Sequence, residues 1–91
     1  MSLVEQFNFV SFNSRQHALY FSQLLKNAGY DSQIISTPKG VALGCGLSVK
    51  FSPHLTSKVY NIYKQHRIPI VGFYSMKRIG NHSELVRIPL I

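Results

Sequence analysis

Acidic residues are nearly missing from this chain. Its 91 residues hold three, Glu5, Asp31 and Glu84, against ten lysines and arginines, for a formal net charge of +7. Such an imbalance favours anionic partners: nucleic acid, phosphates, an acidic protein surface or small oxyanions. The plainer alternative is a solvated basic surface with no dedicated ligand. Cysteine is scarcer still. A single residue, Cys45, excludes an internal disulfide and points to a reducing, intracellular compartment. No stretch is long or apolar enough to cross a bilayer, and residues 1–6 show neither a basic n-region nor a signal-peptide core. The expected location is the cytoplasm.

What remains is a globular composition, 45% hydrophobic, in a length suited to one small domain with a single modest core. Residues 7–12, rich in Phe and Val, read as a strand. Asn13 or Ser14 can N-cap a helix, with Gln16 or His17 at the reciprocal position of a capping box. Ala18, Phe21, Leu24, Leu25 and Ala28 then recur at helical spacing, and Gly29 follows where a left-handed residue closes a helix. A second strand is expected at residues 31–36 and a third at 47–51. Ser52-Pro53 opens a second helix with Leu55, Val59, Ile62, Tyr63 and His66 on one face, ended by Pro69. Residues 70–74 form a short apolar strand.

The order is β-α-β-β-α-β, which predicts an α+β, ferredoxin-like antiparallel sheet with two helices on one face. Residues 1–74 would form that single domain. Residues 75–91 would be a C-terminal extension packing on the domain or on a partner subunit, as an extra edge strand or a cover for the open sheet face. The first strand is apolar on both sides, so the face without helices should be buried by the tail, by a second copy of the chain, or by both.

Residues 36–46 carry the least ordinary sequence: three of the six glycines, one proline and the cysteine. Gly44 and Gly46 flank Cys45 with little steric cover. In the predicted topology this loop shares an edge with Ser14, Arg15, His17, Lys39, His66 and Arg67. Arg15, Lys39, the Gly46 amide and the first helical turn would favour a thiolate, the reactive form of the sulfur. Alone, it can carry a mixed disulfide, a sulfenic acid, or a persulfide or selenosulfide. His17 and His66 are the candidate bases for a nucleophilic role. The competing reading is a small buried hydrophobe at the start of the third strand. A metal site is disfavoured because one cysteine and dispersed histidines lack tight ligand spacing. The loop lacks the Gly-Lys-Ser/Thr of a P-loop, and no RNP-like pattern marks an RNA-reading sheet.

His17-Ala18-Leu19, the run from Leu24 to Gly29, the corner Thr37-Pro38-Lys39 and then Cys45-Gly46-Leu47 resemble a family of small bacterial selenium/sulfur carrier protein-like sequences. The resemblance runs from about Phe7 to Tyr74. It implies an intracellular carrier in which Cys45 holds sulfur or selenium and Thr37, Pro38 and Lys39 shape the pocket. The family pattern has an arginine at the Lys39 position and serines at the positions of Ala42 and Gly44, so this chain offers a point charge and fewer hydroxyls. No cofactor is implied, and accessory carriage is expected over independent catalysis. The expected partners are a sulfur or selenium donor or acceptor protein, an anion and a second copy of the chain, without membrane; nucleic acid is disfavoured. The alternative function is a non-catalytic basic module that contacts a protein or nucleic acid and merely packs Cys45.

Overall fold

The computed structural model describes residues 4–41 and 44–89. In chain order the elements are β1 (Val4–Ser11), α1 (Arg15–Asn27), β2 (Gln33–Ser36), β3 (Leu47–Phe51), a 3-10 turn (Pro53–Leu55), α2 (Thr56–His66), β4 (Gly72–Ile79) and β5 (His82–Ile88). The strands form one sheet in the order β2-β3-β1-β4-β5, antiparallel at every junction. The fold is therefore α+β: a five-stranded antiparallel sheet and two helices. No helix among the described residues is long and apolar enough to cross a membrane.

Of the helical stripe read from the sequence, Ala18, Phe21 and Leu25 are sealed from solvent, Leu24 is half-buried and Ala28, past the end of α1, is exposed. Burying side chains of this size stabilises the fold by about 1.5–3 kcal/mol for each large one. The helix ends at Gly29, φ +82°, while the Tyr30 N–H reaches back to the Leu25 carbonyl and satisfies an otherwise orphaned acceptor. Ser14 takes the N-cap position, but its side chain makes no cap hydrogen bond, so the expected capping box is not formed. Pro53 opens the 3-10 turn ahead of α2, where proline's missing N–H is no loss. Leu55 and Val59 are buried, whereas His66, expected on the same face, is exposed, its ring perpendicular to that of Tyr20 across the helices.

Strand alternation sorts β1 into two faces. Val10 and Phe12 join both helices, Val49, Phe51 and Phe73 in one core. Phe7 and Phe9 turn the other way and cluster with Tyr74 and Met76, Phe9 lying stacked on Tyr74 at 5.3 Å. This second face is covered by Val41 of the loop between β2 and β3, by Ile35 of β2 and by Leu85 of β5. Lys50 and Arg78 close the lower part, their charged heads 4.4 and 5.8 Å from the Phe7 ring. The main difference from expectation is that the loop between β2 and β3 serves as a strap across the sheet. Gly40, at φ +105°, lies so close to Leu85 that a Cβ there would sit 2.8 Å from Leu85 Cδ2. β4 runs past Tyr74 to Ile79, and β5 pairs along it, Leu85 opposite Met76 and Arg87 opposite Tyr74.

Candidate functional site

The site is organised by Ser11, the last residue of β1, and by Phe12 just after it. The Ser11 carbonyl accepts the Val71 N–H at 2.7 Å, and the Phe12 carbonyl accepts the Cys45 N–H at 2.8 Å. Two loops distant in sequence, the strap and the connection into β4, are thus bonded to adjacent residues at one sheet edge. Phe12 lies two residues before the Ser14 N-cap, so Cys45 stands beside the start of α1.

Between the two loops there is no room for a side chain. Gly44 has φ +113°, and a Cβ there would lie 2.7 Å from the Phe12 carbonyl oxygen, 3.2 Å from Ser11 Oγ and 3.3 Å from Val71 Cγ2. Gly46 also has a positive φ, +86°, but with open space around it. Its carbonyl accepts the Thr37 N–H at 2.9 Å, which closes the neck of the strap. The glycine pair therefore has divided duties: Gly44 permits a close approach, and Gly46 permits a turn of the backbone.

Cys45 is half-buried and free. Its side chain packs at the margin of the helix-side core, and its thiol donates a long hydrogen bond, 3.8 Å, to the Leu47 carbonyl. Thr37 Oγ1 and the fully buried Ser48 Oγ share a hydrogen bond of 2.8 Å. Pro38 is half-buried and begins the strap, with the Val41 N–H turned back toward the Pro38 carbonyl at 3.5 Å. Arg15 and Lys39 are exposed, one on the first turn of α1 and the other on the strap. His17 is half-buried, with Nδ1 enclosed and without a hydrogen-bond partner. Among the described residues, no cluster of His, Cys, Asp and Glu is placed to hold a metal ion. Ala42 lies outside the described residues.

Several residues of this edge were not anticipated. Ser11, fully buried, directs its hydroxyl under the strap without a partner, opposite Ser48 on one side and Gly72 on the other. A serine alternating with Phe7 and Phe9 on an apolar strand was the available signal. Arg87 comes to this edge from β5 and donates from Nη2 to the Val71 carbonyl at 3.2 Å. Only the register of β5 reveals it.

The geometry defines a small basic α+β domain with one free thiol, set between a strapped sheet face and the start of a helix. A family model described as "Putative Se/S carrier protein-like" matches residues 8–75, and the chain belongs to that family. No curated protein and no solved structure matches the chain.

Proposed function

We propose that this protein is an intracellular sulfur or selenium carrier that uses Cys45 as its carrying thiol. The observation that supports this most directly is the free, half-buried Cys45 inside the family match, held between two positive-φ glycines. The Cys45 thiolate attacks the terminal sulfur of a donor persulfide, R–S–SH. The donor S–S bond breaks, a new S–S bond forms on Cys45, and the donor departs as the thiolate RS⁻ with no net redox change. A terminal selenium transfers in the same way. Arg15 and Lys39 supply positive charge near the loop, Thr37 and Pro38 hold the neck of the strap, and His17 adds a nearby imidazole.

The fold is read as a ferredoxin-like unit, supported by the order β2-β3-β1-β4 and by both helices packing into one core. The extension read from residue 75 onward completes β4 to Ile79 and adds β5, His82–Ile88, to the domain; residues 90–91 lie outside the described residues. Partners of this reading are a donor or acceptor protein in the cytoplasm and a second copy of the chain.

The test is to incubate the folded protein with a low-molecular-weight persulfide and read the intact mass, followed by cyanolysis of the bound sulfur. One sulfur atom should be gained on Cys45 and absent from Cys45→Ser. A folded protein whose thiol takes up no sulfur, and reacts only on unfolding, would refute carriage and favour the basic binding module.

A further inference from the structure

On the strapped face, beside the carrier loop, lies a cleft of about 400 Å³ lined by Asn13, Gly40, Val41, Ile70, Val71, Tyr74 and Arg87. Its floor is Gly72. A Cβ there would come within 3.2 Å of Arg87 Nε, 3.4 Å of Arg87 Nη2 and 3.3 Å of Tyr74 Cε1. The missing side chain lets the guanidinium lie over the sheet at Gly72. One contact to the Val71 carbonyl anchors it, and the rest of its N–H donors remain uncommitted.

That cation has no carboxylate of its own among the described residues. Glu5 is bridged to Arg78 at 3.5 Å and Glu84 to His82 at 3.6 Å. Asp31 lines a different groove, with Lys50. The neighbouring Ser11 hydroxyl is buried under the strap without a partner, a second polar group left unsatisfied at the same edge. The other walls are apolar: Val41, Ile70, Val71 and the Tyr74 ring.

We propose that this cleft binds a small organic monoanion. Its carboxylate is held by the Arg87 fork and the Asn13 amide, and its short apolar portion lies against Val41, Val71 and Tyr74. A planar guanidinium matches a carboxylate in bidentate fashion. A single Arg with apolar walls suits such a ligand better than an inorganic dianion. The site uses β5, which the family match does not reach, and it stands whether or not Cys45 carries sulfur.

The experiment titrates the isotope-labelled full chain, at constant ionic strength, with sodium butyrate, sodium sulfate or neutral butyramide, following amide shifts. Butyrate should give saturable shifts at Val41, Val71, Tyr74 and Arg87, with a dissociation constant on the order of millimolar. Arg87→Gln should weaken it at least about tenfold, and Arg87→Lys less. Arg87 is exposed on an edge strand, so both variants should keep the wild-type circular dichroism spectrum. The proposal is overturned by any of four results: no saturation with butyrate, an equal response to butyramide, tighter binding of sulfate, or unchanged butyrate affinity in Arg87→Gln.

Discussion

Replacing Gly44 by alanine inserts one methyl group where the strap meets the end of β1. Two costs arise, and Gly46 separates them. At φ +113° an L-residue is strained, by about 1–2 kcal/mol on the scale of left-handed backbone. Gly46→Ala, at φ +86° with nothing within 4 Å, should show that cost alone. Gly44→Ala adds a contact of 2.7 Å with the Phe12 carbonyl oxygen, which is main chain just beyond β1 and cannot swing aside as a side chain can. Overpacking of this kind costs about 1–3 kcal/mol more. The carbonyl concerned is the one that accepts the Cys45 N–H, so relief of the clash must pull the carrier loop away from β1. Urea unfolding should therefore place Gly44→Ala about 2–5 kcal/mol below wild type and Gly46→Ala about 1–2 kcal/mol below. In the folded state, Cys45 in Gly44→Ala should also alkylate faster than in Gly46→Ala. Equal destabilisation by the two alanines, or unchanged alkylation in Gly44→Ala, would refute the account of how this loop is seated.

Two further perturbations test the strap and the face beneath it. Thr37→Val leaves the buried Ser48 hydroxyl without its partner and should destabilise by about 1–3 kcal/mol, with part recovered in the Thr37→Val/Ser48→Ala double variant. A double variant no more stable than the single one would show that the hydroxyl pair is not what holds the neck. Phe9→Ala removes a fully buried ring stacked on Tyr74 and should cost about 3–5 kcal/mol in denaturant unfolding. A loss below about 1 kcal/mol would mean that the strapped face is not a core.

For this protein, the parts written in neighbouring residues were open to reading from the chain alone. The limits of α1, the left-handed Gly29, the third strand and the oddity of Gly44-Cys45-Gly46 depend on periodicity and backbone freedom over a few positions. The two-sided apolar character of β1 was equally visible, since alternation along one strand needs no partner to be seen. The tail was expected as a cover for its second face, and Leu85 of β5 is part of that cover; Val41 was not expected there, because it reaches that surface only once the strap folds back. Strand register brought Ser11 and Arg87 to the site. Pairing across strands, Ser11 with Gly72 and Tyr74 with Arg87, brings together groups that the backbone separates by 61 and 13 positions. Sequence could establish that a thiol is flanked by glycines. Tertiary packing decided what stands beside it, because contact between distant segments depends on strand register and loop closure, and no short window of residues encodes either.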